Sequence, residues 1–238
     1  MNGRRERDLR SGFAIPFRYG HQVILDAALH PSWTIHQMLR GIPRLANFEG
    51  EGQSIEVQAA LMRRQMDASF SWDDLKRLRD AWPGTLIVKG VLAETDAAGC
   101  ARVGVDGVVL SNYGGRHLDD VVAPVEVLPS ISATSRTPIL VDSGFRRGSD
   151  VVKAIALGAR AVMIGRAVLF GLAARGEAGV SDVLRMLREE LDTTLALLGC
   201  RSCGELTRHH IADKALPCVI TKRRRNLGYP HHTSPGQN

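Results

Sequence analysis

The sequence contains little of what marks several large classes of protein. Aromatic residues make up 5% of its 238 residues and do not alternate with basic residues as a stacking platform for nucleic acid requires. The longest apolar runs fall well short of the roughly 18 residues that a membrane-spanning helix needs. The charged start MNGRRERDLRSG lacks the apolar block of a signal peptide. We therefore expect a cytoplasmic chain without a membrane span, and no nucleic acid as a partner.

Cysteine is also scarce, with four in the whole chain. The cytoplasm keeps such thiols reduced, so no disulfide is expected. Cys200 and Cys203 form an isolated CxxC pair, and only His209 and His210 follow nearby. A structural zinc site needs four ligands at suitable spacing. We predict that the chain binds no metal.

Basic residues, in contrast, exceed acidic ones and give a formal net charge of +6, partly from clusters near the two ends of the chain. Such a charge favours phosphates, anionic substrates or acidic lipid headgroups without choosing among them. With 44% hydrophobic and 24% charged residues, the composition is that of an ordinary globular protein. The length fits one domain with a sizeable core.

From residue 70 onward, short β-branched runs alternate with longer helical segments, an order typical of βα units around a parallel sheet. The predicted strands span 86–89, 107–111, 138–142 and 161–165. The predicted helices span 72–81, 94–102, 124–134, 149–157 and 180–198. The strands are nearly continuous apolar runs, which indicates a sheet covered on both faces.

Polar residues stand where each predicted strand ends, and the carboxyl ends of the strands carry the chemistry in βα barrels. In DSGFRRGSD, Gly144 lets the backbone approach an anion, and a helix opens at Gly148 beside two arginines. The segment IGR at 164–166 repeats the glycine and the arginine after the next strand. The two segments together predict a site for a phosphate group.

The motifs IVKG, SNYGGRHLD, DSGFRRGSD and IGR resemble those of the FMN-dependent 2-hydroxy-acid dehydrogenases and oxidases. LANFEG, QAALMRRQMDASF and GLAARGEAGV are most similar to the membrane-associated (S)-mandelate dehydrogenase branch of that family. The resemblance implies an α/β fold of the TIM (β/α)8 barrel type, with FMN as cofactor. It also implies oxidation of a small (S)-2-hydroxy acid, mandelate-like or lactate-like, to the 2-oxo acid. The electron acceptor would be a quinone, the respiratory chain or oxygen.

The same resemblance assigns roles to individual residues. Lys89 and Ser111 would contact the flavin ring, where positive charge stabilises the reduced form. Arg116 and Arg5 would bind the substrate carboxylate, because a guanidinium donates two parallel hydrogen bonds to it. The residues that would hold the ribityl chain and the phosphate are Asp142, Ser143, Gly144, Arg146, Gly165 and Arg166.

One position departs from the family, which carries a histidine as proton acceptor where this chain has Tyr113. A free tyrosine has a pKa near 10, so ionising it at neutral pH costs about 4 kcal/mol. We therefore expect weak activity or none. His117 lies four residues further along the loop, and such an offset does not superpose side chains. We expect His117 to be a loop residue and not a substitute base.

By the resemblance, the chain begins where barrel strand four ends, so that only the C-terminal four βα units are present. Residues 1–11 would finish that strand, and residues 12–66 would form a helical insertion. Residues 67–213 would form the C-terminal half of the barrel, and 214–238 a disordered basic tail. A half-barrel leaves strand edges unpaired. We expect a truncated gene product, or a missing wall supplied by another chain or by a second copy in a homo-oligomer.

The insertion at 12–66 is expected to contain helices near 21–29, 33–40 and 54–65. It mixes apolar residues with arginines, as interfacial helices do, and by position it matches the segment that anchors related dehydrogenases to the membrane. We expect peripheral contact with the cytoplasmic face of the inner membrane, or packing on a neighbouring subunit. The predicted function is FMN-dependent oxidation of an (S)-2-hydroxy acid. The alternative is a catalytically inactive FMN-binding or subunit-interaction remnant of such an enzyme.

Overall fold

A computed structural model of the protein describes residues 20–40, 69–118 and 120–212. The helices are α1 His21–Leu29, α2 Pro31–Arg40, α3 Trp72–Ala81, α4 Glu94–Val103, α5 Pro124–Thr134, α6 Gly148–Ala156 and α7 Arg166–Leu197. The strands are β1 Ile87–Val91, β2 Gly107–Leu110, β3 Ile139–Val141 and β4 Ala161–Val162. The predicted helix at 54–65 and the predicted basic tail lie outside the described residues.

The four strands form one parallel sheet in the order β1-β2-β3-β4. Val108 of β2 lies opposite Val88 of β1 on one side and Ile139 of β3 on the other. A helix separates each strand from the next along the chain, as parallel pairing requires. The predicted parallel sheet of βα units is therefore confirmed, although β4 ends at Val162, earlier than the sequence pattern indicates.

Burial differs between the middle of the sheet and its first strand. Every residue of β2 is buried, whereas β1 alternates and leaves Ile87 46% exposed. In the sheet of described residues, β1 is an edge strand, and an edge strand lacks one of the neighbours that would cover its side chains. The prediction that every strand is covered on both faces is therefore wrong for β1.

The main core lies between the sheet and its helices. Leu110 of β2 and Val141 of β3 are fully buried there together with Leu128 and Ile131 of α5. Burying one such side chain stabilises the fold by roughly 1.5–3 kcal/mol. This packing fixes the strands against the helices and thereby sets the positions of the residues that follow each strand.

The start of α3 illustrates how local sequence sets a helix boundary. The Ser71 hydroxyl accepts the N–H of Asp74 at 3.3 Å, and the Asp74 carboxylate accepts the N–H of Ser71 at 2.8 Å. Hydrogen bonds from Ser71, together with the nearby Arg77 guanidinium, lower the pKa of Asp74 to about 2. This reciprocal capping box satisfies two N–H groups that a helix otherwise leaves free. The helix predicted over 72–81 is confirmed.

Helix α7 is longer than the predicted helix at 180–198, and its path breaks at Arg175 and Gly176. The φ of Gly176 is +60°, in the left-handed region. The arms before and after this break meet at two glycines, where a Cβ on Gly171 would lie 2.4 Å from the carbonyl oxygen of Gly179. The sequence pattern missed the first arm, in which Gly171 weakens the helical signal. The actual role of Gly171 and Gly179 is to let the two arms approach.

Helices α1 and α2 pack against each other and match the segments predicted at 21–29 and 33–40, apart from an earlier start of α2 at Pro31. Several large apolar side chains of this pair are exposed, namely Ile24, Leu25, Leu29, Trp33, Ile35, Met38 and Leu39. Among the helices that the structure describes, none combines the length and the hydropathy needed to cross a membrane.

Candidate functional site

A cleft with a volume of about 610 Å³ opens where the strands end. This volume is ordinary for a small-molecule site, for which roughly 300–1,000 Å³ is typical. The site residues singled out from the sequence that line it are Lys89, Tyr113, Arg116, Asp142, Ser143, Gly144, Arg146, Gly165 and Arg166. Lys89 of β1 and residues that follow β2, β3 and β4 therefore meet at one cleft.

Lys89 is held by partners at two neighbouring strand ends. Its Nζ forms an ion pair with Asp142 and donates a hydrogen bond to the Oγ of Ser111 at 3.2 Å. Ser111 is only 1% exposed, and its Oγ also accepts the backbone N–H of Tyr113 at 3.0 Å. Ser111 thus lies beneath the cleft lining and positions Lys89 and Tyr113. Its contact with a flavin ring stays a prediction.

Asp142 carries negative charge into the cleft. Burial raises the pKa of this carboxyl, but hydrogen bonds from Lys89, Ser111 and Ser143 outweigh burial and hold the pKa below its ordinary value. The Ser143 hydroxyl donates to Oδ1 at 2.8 Å, while Lys89 binds the other oxygen. The carboxylate therefore fixes the ammonium of Lys89 in one place above the sheet.

Two loops of the cleft contain non-glycine residues in the left-handed region, Tyr113 with φ +56° and Ser143 with φ +74°. Such backbone is unfavourable for residues with a Cβ and tends to occur at functional sites. The loops are joined by the N–H of Gly114, which donates to the Ser143 hydroxyl at 3.0 Å. This hydrogen bond helps to hold both left-handed conformations in place.

The end of β4 has the features of an anion site. Gly165 is the N-cap of α7, no side chain caps the helix there, and a Cβ on this glycine would meet nothing within 4 Å. Arg166 begins the helix and donates to the carbonyl oxygen of Gly114 at 3.0 Å. Arg146 reaches the cleft from the β3 loop, its guanidinium 5.5 Å from the centre of the Phe170 ring. A helix N-terminus with two guanidinium groups attracts phosphate.

The start of α6 is different, because its first backbone N–H already has a partner within the chain. The N–H of Gly148 donates to Glu190 at 2.8 Å, and Glu190 also pairs with Arg147 at 2.9 Å. A Cβ on Gly148 would lie 2.2 Å from the backbone nitrogen of Leu191. Gly148 therefore permits close packing between α6 and α7, and a carboxylate of the chain occupies the position expected for a phosphate.

Tyr113 turns back over β1. Its hydroxyl donates to the carbonyl oxygen of Lys89 at 3.3 Å, and its ring covers Gly90, where a Cβ would lie 2.6 Å from the hydroxyl. The His117 ring meets the Tyr113 ring edge to face, with 5.0 Å between the ring centroids. This neighbour could not be predicted from positions along the loop, because the turn of the loop is not visible in the sequence.

The apolar wall of the cleft was also missed. Phe145, Met163, Ile164 and Leu169 line it beside the charged groups. From sequence alone they read as ordinary core residues, since nothing in the pattern separates a buried apolar side chain from one that faces a ligand. Arg5, the second predicted substrate arginine, lies outside the described residues.

The C-terminal cysteine pair packs into a small core. Cys200 is 9% exposed and belongs to a cluster with Leu195 and Leu206, and its sulfur lies 3.4 Å from Nε2 of His210. Cys203 is partly buried against the same cluster. In the part of the chain that the structure describes, no three His, Cys, Asp or Glu side chains are grouped as metal ligands.

Comparison with known proteins points in the same direction as the cleft. Residues 1–213 match the model of the FMN-dependent dehydrogenase family. The chain is 52% identical to (S)-mandelate dehydrogenase of Pseudomonas putida over 217 residues, which are 91% of this chain and 55% of that protein. It is 40% identical to L-lactate dehydrogenase of Caulobacter vibrioides over 218 residues, covering 89% of this chain and 57% of that one.

A solved structure supports the same family. A structure described as the monotopic membrane protein (S)-mandelate dehydrogenase superposes with a TM-score of 0.87 at 52% identity, covering 90% of this chain and 58% of that chain. The chain thus spans little more than half the length of the curated relatives it matches. The matched family model, the identities and the superposition together show that the chain belongs to the FMN-dependent dehydrogenase family, whose fold is the α/β TIM barrel.

Proposed function

We propose that this chain binds FMN in the strand-end cleft and takes part in oxidising an (S)-2-hydroxy acid to the 2-oxo acid. The observation that carries the proposal is the convergence of Lys89, Asp142, Arg146 and Arg166 on one cleft of suitable volume. Lys89 lies in β1, Asp142 and Arg146 follow β3, and Arg166 begins α7. They meet at the edge of the sheet where βα barrels carry their sites.

The residues present fit FMN. The open start of α7 at Gly165, with Arg146 and Arg166 beside it, suits a phosphate. Gly144, whose φ is +91°, leaves open space where a Cβ would stand, so its backbone can approach a ligand. Lys89 supplies a fixed cation in the cleft, and such a cation would stabilise the negative charge that a flavin ring gains on reduction. When bound, the flavin supplies the acceptor for the two electrons of the substrate.

Arg116 is assigned to the substrate carboxylate, because its guanidinium lines the cleft and can donate two parallel hydrogen bonds. Arg5 is assigned to the same carboxylate from the resemblance. The apolar wall at Phe145, Met163 and Leu169 favours a substrate with an aromatic side chain, such as mandelate, over a smaller acid such as lactate.

We further propose that the four strands are half of an eight-stranded barrel, completed by four more βα units. The relatives are almost twice as long as the matched region, and β1 carries the exposed Ile87 at an open sheet edge. A completed barrel would pair both edges and cover the inner face of the sheet.

The exposed apolar side chains of α1 and α2 support peripheral membrane contact. The net charge of +6 would assist binding to acidic lipids, and a quinone in that membrane is the electron acceptor that this location favours. A neighbouring subunit in a homo-oligomer is the other surface that could cover these side chains. Vesicle flotation with and without anionic lipid tests the membrane proposal, since subunit packing predicts no flotation.

A second candidate function is FMN binding without turnover. Tyr113 favours this function, because its hydroxyl donates to the backbone carbonyl oxygen of Lys89 and a phenol is a poor proton acceptor at neutral pH. The purified chain separates the possibilities through its visible spectrum. A colourless protein that takes up no added FMN contradicts both functions, and a yellow protein that anaerobic mandelate fails to bleach leaves only the second.

A further inference from the structure

Oxidation of an alcohol carbon requires a group that accepts the hydroxyl proton, and Tyr113 is poorly arranged for that task. Its hydroxyl already donates to the carbonyl oxygen of Lys89 at 3.3 Å. Its ring is seated against Gly90 and lies 5.7 Å from the Lys89 ammonium. To accept a proton from a ligand, Tyr113 would have to give up its own and leave this position.

His117 stands beside Tyr113 in the loop that follows β2. Its ring contacts the Tyr113 ring edge to face at 5.0 Å, and it makes no hydrogen bond to another described residue. The histidines with structural contacts look different: His30 bonds the backbone of Asp26, and His210 bonds Thr207. His117 is exposed and lies beside Tyr113 and Arg116, which line the charged cleft, so a ligand bound there can come within reach of its imidazole.

Building on the proposed function, and in contrast to the expectation from sequence that His117 is only a loop residue, we propose that His117 is the proton acceptor for the hydroxyl of the substrate. The O–H bond breaks, and its proton forms an N–H bond on the imidazole. With FMN bound, the C–H bond on the same carbon would break, its hydrogen and both electrons would pass to the flavin, and the C=O bond of the 2-oxo acid would form. An imidazole accepts a proton near neutral pH far more readily than a phenol does.

The position of Arg116 supports this assignment. Arg116 lines the cleft and precedes His117 in the same loop. In a 2-hydroxy acid the hydroxyl is on the carbon next to the carboxylate, so a carboxylate bound by Arg116 brings the hydroxyl close to this loop. Tyr113 then serves as the packing surface that orients the imidazole.

Ligand-induced NMR shifts of the histidine rings test the placement in the FMN-loaded full chain, with the His117 signal assigned by its loss in His117→Gln. Mandelate is expected to move this signal, and phenylacetate, which has the carboxylate but no hydroxyl, to move it much less. The His209 signal serves as a control and should not move. Equal responses to mandelate and phenylacetate, or no response to either, overturn the proposal.

Single-turnover bleaching of the flavin by mandelate tests the role. We expect His117→Gln to slow bleaching by about 10²–10⁴-fold, the usual contribution of a general base, and His209→Gln to leave it unchanged. Adding Tyr113→His to His117→Gln should restore part of the rate, because it returns an imidazole to the rim. Bleaching at an unchanged rate in His117→Gln overturns the proposal while FMN binding and turnover stand, whereas a chain that takes up no FMN removes the proposed function and this role together.

Discussion

The starts of α6 and α7 follow neighbouring strands of one sheet, yet they have opposite surroundings. At α6, Glu190 accepts the N–H of Gly148 and pairs with Arg147. At α7, no side chain caps Gly165, and the helix start lines the cleft beside Arg166. The two sequence segments look alike, each a glycine with an arginine after a strand. A glycine and arginine motif therefore predicts a helix start that can bind an anion, but the tertiary fold decides whether the anion is a ligand or a carboxylate of the chain.

The largest effect is expected from a methyl group at the closed helix start. Gly148→Ala would push a Cβ against the backbone of Leu191, so we expect the free energy of unfolding to fall by about 3 kcal/mol. Gly165→Ala is the matched control, because open space surrounds its Cβ position, and a change below about 0.5 kcal/mol is expected. Urea unfolding of both variants makes the comparison, and equal losses would contradict the difference between the two helix starts.

Removing one arginine from each helix start sharpens the contrast in binding. Arg166→Ala should weaken FMN binding by roughly 10–100-fold, the value of a charge-assisted hydrogen bond. Arg147→Ala should leave FMN binding unchanged, since Arg147 faces Glu190 and does not line the cleft. Flavin fluorescence titration measures both. Riboflavin, which has no phosphate, should bind the unsubstituted chain and both variants with the same affinity. If Arg166→Ala weakens riboflavin binding as much as FMN binding, this arginine does not recognise the phosphate.

Neutralising the internal carboxylate should have a smaller effect. Glu190→Gln keeps the shape of the side chain but weakens the contacts to Gly148 and Arg147, so we expect unfolding to become easier by about 1 kcal/mol. Glu189→Gln, on the adjacent residue and more exposed, is the control. Chemical denaturation that finds the two variants equally stable would show that the Glu190 cap contributes little.

The smallest effect concerns acid stability. The pKa of Asp142 is lower in the folded chain than its ordinary value, so the carboxylate stabilises the fold above pH about 4. That contribution is lost as pH falls from there through the lowered pKa. Asp142→Asn should therefore show a flatter loss of stability with acid, measured as the urea midpoint between neutral pH and pH 3. Parallel curves for the two proteins would show that Asp142 is not the group responsible.

Much of this contrast could not be read from the sequence, for identifiable reasons. Strand order and most helix boundaries follow from local periodicity and capping, as at Ser71, and they were predicted closely. The positions of Asp142 and Arg166 after their strands follow from the same periodicity, whereas β1 continues two residues beyond Lys89, where the sequence pattern ends it. The contact between Gly148 and Glu190 joins residues far apart in sequence, and the neighbour of His117 depends on the left-handed turn at Tyr113. Those are tertiary facts, and no local pattern encodes them.

Helix α7 reaches both strand-end loops from one continuous piece of chain. Its first residue, Arg166, donates to Gly114 in the β2 loop, and Glu190 near its other end holds the β3 loop at Gly148. Between them, the close contact of Gly171 with Gly179 fixes the angle of the two arms. Helix α7 therefore connects the β2 loop to the β3 loop. A phosphate bound at the start of α7 would therefore also stabilise the start of α6. Occupancy of the cleft and resistance of the β3 loop to proteolysis should then rise together.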